Sequence, residues 1–291
     1  MKVIVVTVPS PGHAEVLEEL AQFDLRQRTV VFVPGNNVTP LARQRLTAAC
    51  IVEVSTSPYG VRFAQEETFN VNVNIKGIKT CLPASYLSTI EGQAIDSIVL
   101  SQLEAIFPGR LDWHNSLELA FMNLSMVIHV APAIMNAGRI ESATEDWNYY
   151  RDGMTESVAK IQEAIDVERV AAAKAFGINV PTALTMLNKW YGTRFNSMRE
   201  FAVGTVSHNL TRGVPCDLRH RYITQDVPYG LVPLYEFGTL AGMPMEAVKS
   251  LIVMASRANS TDYMKTGRNL RALGLKGLSV SQIMKVYGVK S

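Results

Sequence analysis

Apolar and polar positions in the first third of the chain follow two alternating periods. Val3–Val8 and Thr29–Val33 are short β-branched runs without polar alternation, so each predicts a strand covered on both faces. Pro9-Ser10-Pro11-Gly12 turns the first run into a helix through about Phe23, and Pro34-Gly35-Asn36-Asn37 closes the second before a short helix near Leu41–Thr47. Strand, helix, strand predicts a parallel sheet. After Ile51 the period changes: Val61–Ala64, Asn70–Lys76 and Ile78–Leu82 sit close together, and Val71, Val73 and Ile75 alternate with asparagines. That suits antiparallel strands wet on one side. Ser85 to Phe107 reads as helix again. From about Trp113 strand signals nearly vanish, and helices are predicted at 114–138, 156–176, 181–191, 228–241, 244–258 and 279–287.

The longest apolar run is Leu117 to Ser142. Met122, Met126, His129, Ala133 and Asn136 fall on one helical face, and apolar residues cover most of the others, so the helix is expected to be buried nearly all round. Glu118, Asn123, His129 and Pro132 interrupt it too often for a membrane span. Pro132 removes one N–H and pushes away the carbonyl of Ile128, placing a kink beside His129. An imidazole next to loosened backbone suits a catalytic acid/base; it equally suits a core histidine satisfied by a neighbouring carbonyl.

Composition narrows the class. Of 291 residues, 47% are hydrophobic and 19% charged, which fits an ordinary soluble protein of one large or two moderate domains. A net charge of +2 with no Lys/Arg run gives no electrostatic footprint for nucleic acid. Cys50, Cys81 and Cys216 are far apart and lack metal-ligand spacing, so reduced thiols in a cytoplasmic protein without a metal are expected. The opening MKVIVVTVPSPG reads as a strand rather than a signal peptide.

A doubly wound nucleotide-binding domain normally opens on a strand and a Gly-x-Gly-x-x-Gly turn, whose backbone N–H groups cradle a pyrophosphate. No Gly-x-Gly-x-x-Gly occurs in these 291 residues, and Met1-Lys2 leads straight into a core-type strand. The fold class is therefore read as α/β plus all-α. Residues 1–112 are expected to form the C-terminal portion of a doubly wound, Rossmann-like domain, and 113–291 a helical domain, with ligands favoured at their interface. The chain is expected to begin part-way through the first domain, with much of its dinucleotide affinity lost.

A second segment with chemistry is DLRHRYITQDVPYGLVPLYE, Asp217 to Glu236. Asp226 precedes Val227-Pro228 at a helix start, so N-capping alone accounts for it. Arg221 reads as a solvated charge or ion-pair partner. The functional alternative is an Arg fork for a substrate carboxylate and an Asp that orients an imidazole.

HVAPAIMNAGRIES, RYITQDVPYGLVPL and the tail GRNLRALGLKGLSVSQI, with weaker matches in VPGNNV and EVSTSPYGVR, span nearly the whole chain. In these stretches the sequence resembles the octopine/nopaline (opine) dehydrogenase family, which includes bacterial carboxyethyl-norvaline dehydrogenase. It departs from the family pattern at Val61, Val130 and Gln225. The resemblance implies a Rossmann-like domain followed by a helical domain like that of 6-phosphogluconate dehydrogenase. It implies NAD(P)H-dependent condensation of an amino acid with an α-keto acid, with NAD or NADP as cofactor, no nucleic-acid or membrane partner, and room for a homodimer. It also implies site roles: His129 as general acid/base, Asp226 as its partner, Arg221 at the keto-acid carboxylate, Thr56 on the amino acid, and Pro34 and Gly35 beside the nicotinamide. His13, His114, His208 and His220 match no catalytic position. Two alternatives stay open: a reductase of another 2-keto acid, and a non-catalytic remnant that binds a small dicarboxylate or serves in assembly.

Overall fold

The computed structural model describes residues 2–65, 71–88, 95–142, 147–210 and 215–289, the side chains of 62–65, 71, 72, 74 and 76 apart. The first part runs β1 (Val3–Val6), α1 (His13–Leu20), β2 (Thr29–Phe32), α2 (Thr39–Arg45), β3 (Cys50–Val54), β4 (Tyr59–Gln65), β5 (Val71–Ile78), β6 (Cys81–Ser88), α3 (Ser97–Ile106) and β7 (Arg110–His114). Five strands form one sheet in the order β1-β2-β3-β6-β7, parallel except where β6 runs against β3. Successive residues of β2 serve opposite faces, Val30 and Phe32 packing with Leu17 and Ile51, Val31 with Val52, Leu82 and Leu103. Both faces are covered, which is why its residues are apolar without alternation.

The predicted helix from Ser85 is strand as far as Ser88, in register with Cys50–Glu53. Residues 89–94 lie outside the described residues, and α3 starts at Ser97, where Asp96 Oδ1 accepts from Ile98 N at 2.8 Å. Strand β7 carries no apolar run. It forms at the sheet edge through pairing with β6, a tertiary effect that local pattern does not carry. Strands β4 and β5 make a separate antiparallel ribbon, as the alternation predicts, although its start at Asn70 lies outside the described residues. Its apolar positions Val73 and Ile75 remain 53% exposed rather than buried.

Helices follow: α4 (Ser116–Phe121), α5 (Ser125–Met135), α6 (Ala137–Ser142), α7 (Tyr149–Gly153), α8 (Glu156–Ala175), α9 (Ala183–Tyr191), α10 (Met198–Gly204), α11 (Val206–Asn209), α12 (Arg221–Thr224), α13 (Val232–Leu240), α14 (Glu246–Ala258), α15 (Tyr263–Thr266) and α16 (Val280–Val286). Helix α8 is the post around which α4, α5, α13 and α14 pack. At its core the rings of Phe121, Phe176 and Phe237 meet at centroid distances of 5.7–5.9 Å.

The single helix predicted over 114–138 is three helices. Asn123 breaks α4 from α5: its amide donates to Asn36 Oδ1 and its oxygen accepts from Ser125 N, both at 3.0 Å. Asn136 ends α5 with its Nδ2 donating to the carbonyls of Pro132 and Gly153, each at 2.8 Å. Pro132 sits inside α5, and the carbonyl it displaces, that of Ile128, accepts from Gln162 Nε2 of α8 at 3.1 Å. Ser116–Met135 is apolar enough to cross a membrane, but its apolar window is 72% buried inside the protein. Its surface is consumed by the protein's own core.

Candidate active site

His129 lies in α5, in the turn that Pro132 loosens. Its Nδ1 is 2.7 Å from Asp226 Oδ2, the two side chains being 15% and 3% exposed. A carboxylate only accepts, so the network assigns the Nδ1 proton to His129, donated to Asp226. Asp226 precedes a π-helical turn, Val227–Leu231, yet its side chain caps no backbone N–H. The capping account of this residue is overturned: the carboxylate is spent on the imidazole. Gly230 makes the contact sterically feasible, because a Cβ there would stand 2.9 Å from Met126 Cβ on α5. The π turn thus presses against the helix that carries His129, a geometry common at functional sites.

Aromatic rings fix the imidazole. Tyr222 of α12 stacks on it at 3.8 Å with an interplanar angle of 14°. Tyr149 OH donates to the His129 carbonyl at 2.6 Å, and burial, with Tyr222 and Asp226 nearby, holds that phenol well above its usual pKa, so it stays a donor. The Tyr150 and Tyr222 hydroxyls share a hydrogen bond of 3.0 Å. None of these tyrosines was singled out by the sequence; only the Arg-Tyr pair opening α12 hinted at one.

Arg221 opens α12, one residue before Tyr222, with an exposed side chain. Thr56 follows β3, and its Oγ1 accepts from Lys79 Nζ at 3.1 Å. Lys79 also donates to the Ser57 carbonyl at 2.8 Å. Burial, then the neighbouring Arg221 charge, lowers the Lys79 pKa to about 8. His208 closes the ring: burial, with His129 and Lys79 beside it, depresses it to about 3, so it is neutral. Its ring packs on Tyr150 at 4.6 Å and Tyr191 at 5.0 Å. The fold therefore sets Asp226 on His129, Arg221 beside the tyrosine stacked on that imidazole, and Thr56 on Lys79. Lys79 and His208, which sequence reasoning missed, lie within electrostatic reach of Arg221 and His129 respectively.

Pro34 and Gly35 stand apart from that group, at the carboxyl end of β2, where parallel sheets open their ligand crevice. Gly35 N donates to Val54 O at 3.0 Å, and a Cβ at Gly35 would lie 2.5 Å from Glu53 Oε2, so no side chain fits. Asn36, Asn37, Glu53, Ser55, Asn123 and Tyr229 line the adjoining cleft. Ser55 Oγ is buried with no hydrogen-bond partner among the described residues. Amide and hydroxyl groups so placed fit the carboxamide end of a nicotinamide. No Gly-x-Gly-x-x-Gly occurs in the 291 residues.

Residues 113–259 match the family model of the α-helical domain of NAD/NADP octopine/nopaline dehydrogenase. An opine dehydrogenase of Arthrobacter sp. (strain 1C) is 30% identical over 289 residues, covering 97% of this chain and 77% of that protein. The chain belongs to the octopine/nopaline dehydrogenase family. Among solved structures, octopine dehydrogenase with NADH and L-arginine superposes with a TM-score of 0.76 at 20% identity, over 100% of this chain and 79% of that one. The same enzyme with NADH and pyruvate gives 0.73 over 100% and 78% at 20% identity. Yersinopine dehydrogenase with NADP+ gives 0.67 at 13% identity over 98% and 78%. The Rossmann-like sheet followed by a helical domain is thus the fold of known opine dehydrogenases, and the family is one of oxidoreductases. The matched span contains His129, Arg221 and Asp226; Thr56, Lys79 and the loop after β2 lie before it.

Proposed function

We propose that this opine dehydrogenase relative joins the amine of an amino acid to the carbonyl of an α-keto acid and reduces the product to a secondary-amine dicarboxylate. The hydride donor is NADH or NADPH, the cofactors of the octopine and yersinopine enzymes. One observation carries the reading: a partly buried imidazole held by a buried carboxylate at 2.7 Å, in the turn where Pro132 loosens its helix, with an arginine one residue from the tyrosine stacked on it.

The amine adds to the keto carbon, water leaves, and hydride with one proton completes the secondary amine. His129 supplies and removes the proton at the keto oxygen and the imine nitrogen through Nε2, since Nδ1 is committed to Asp226. Asp226 keeps that tautomer and stabilises the imidazolium. The fork of Arg221 holds the keto-acid carboxylate, and Thr56 borders the amino acid. Pro34 and Gly35 would flank a bound nicotinamide, which would supply the hydride.

Titrating NADH and NADPH by their fluorescence, then adding pyruvate and a panel of amino acids, tests the reading. Cofactor oxidation is expected only with both substrates present. His129→Ala is expected to lower turnover by about 10²- to 10⁴-fold while substrate affinities change less. Turnover unchanged in that variant removes His129 from the reaction.

A further inference from the structure

Among the described residues Lys79 is a cation without a counter-ion. It lies just after β5, with two of its three ammonium hydrogens on Thr56 Oγ1 and Ser57 O. Among the described residues no carboxylate comes within ion-pair distance of it, and none pairs with Arg221 either; the two positive charges lie within electrostatic reach of each other. Lys79 is half-buried with hydrogen bonds only to neutral oxygens, so it keeps a charge and a donor for an anionic ligand, and the exposed Arg221 guanidinium lies within electrostatic reach of it. A third buried group points the same way: His208 Nδ1, which is within electrostatic reach of both Lys79 and His129, has no hydrogen-bond partner among the described residues. Packing holds Lys79 where it is, because Ser207 beside His208 closes on Gly77, where a Cβ would stand 2.9 Å from its Oγ.

The reaction proposed above creates a product with two carboxylates, of which Arg221 accounts for one. Resting on that reading, we propose that Lys79 binds the second carboxylate, that of the amino-acid half, while Arg221 holds the first. The site is then a two-cation clamp for a secondary-amine dicarboxylate, with the His129 imidazole beside the nitrogen between the two carboxylates. Thr56 and the Ser57 carbonyl orient the ammonium and leave its third hydrogen for the ligand.

Lys79→Met is expected to raise the KM for the amino acid about 10- to 100-fold, the loss of one charge-assisted hydrogen bond, with kcat and the keto-acid KM within about threefold. Lys79→Arg is expected to recover most of that affinity. Equal rises in both KM values, or a loss confined to kcat, would overturn the assignment. If the wild-type protein turns over no amino acid, the functional reading fails while the clamp stays measurable. Calorimetric titration with iminodiacetate, a secondary amine with two carboxylates, is compared with sarcosine, which has one. The wild type is expected to prefer iminodiacetate by about tenfold or more and Lys79→Met to lose that preference. A preference equal in the two proteins, or none in the wild type, refutes the clamp.

Discussion

His13 has no exposed surface and packs edge-on against Phe32 with a centroid distance of 5.4 Å. Burial, reinforced by the Arg268 charge, lowers its pKa from 6.5 to about 3. The unfolded chain therefore takes up a proton near pH 6.5 that the folded chain refuses until about pH 3. Stability is full above 6.5 and falls as the pH drops through that window, by about 2 kcal/mol between pH 7 and pH 5 at 1.36 kcal/mol per unit. Urea midpoints of wild type and His13→Gln across that range check it: the variant is expected to lose this part of the acid dependence, and parallel curves would contradict it. At this scale the sequence exposes some residues and hides others. His129, Asp226 and Arg221 stand inside motifs, so the segments holding them were visible. Whether Asp226 capped a turn or held the imidazole was not, since both readings use the same spacing, and only the 2.7 Å contact separates them. Lys79 and His208 carry no local pattern at all. They come within electrostatic reach of each other because β5, which Lys79 follows, packs with α11.

Among the elements, α5 shows how one substitution in a helix is answered by another. Pro132 costs an intrahelical bond, and the Ile128 carbonyl so released is buried where water cannot reach it. Gln162, fully buried in α8, donates to it at 3.1 Å and to the Val127 carbonyl at 3.2 Å. Replacing Gln162 by Leu keeps the volume and removes the donor, so a loss of about 1–3 kcal/mol is expected from the unsatisfied carbonyl. The kink beside His129 is then held less firmly, and kcat is expected to fall more than KM rises. Guanidinium unfolding with steady-state kinetics measures both, and a stability within about 0.5 kcal/mol of wild type would mean the carbonyl finds another partner. The kink itself was legible from Pro132 alone. Its remedy lies thirty-odd residues later in a helix whose sequence gives no sign of it. Element boundaries failed where the pattern was right for a helix but a neighbour decided otherwise: Asn123 is drawn away by Asn36, and Ser85–Ser88 joins β3.

Across the whole molecule, the two parts are joined by Arg268, which is 4% exposed and comes from the segment after α15. Its backbone N–H donates to the Pro228 carbonyl at 2.8 Å, inside the π turn that follows Asp226. Its guanidinium donates to the carbonyls of Gly35 and Asn36, and its Cζ lies over the Tyr229 ring, 4.8 Å from the centroid. Behind that loop, Glu53 accepts from Thr39 N, and burial raises its pKa against the opposing pull of Thr39 and Arg268. The C-terminal segment adds Tyr287 OH to Asn37 Oδ1 at 2.9 Å and Gln44 Nε2 to the Leu273 carbonyl at 3.0 Å. One buried cation thus ties the loop beside which the nicotinamide is proposed to lie to the turn that presents Asp226 to His129. The GRNLR stretch marks Arg268 in the sequence as part of a motif, but its role depends on partners more than two hundred residues away. Arg268→Met leaves the two buried carbonyls of Gly35 and Asn36 without their donor, so a loss of about 2–5 kcal/mol is expected. Hydrogen exchange is expected to quicken at residues 35–39 and 226–230 together, with kcat falling in step. Faster exchange in only one of those segments would show that the two parts keep their registry without Arg268.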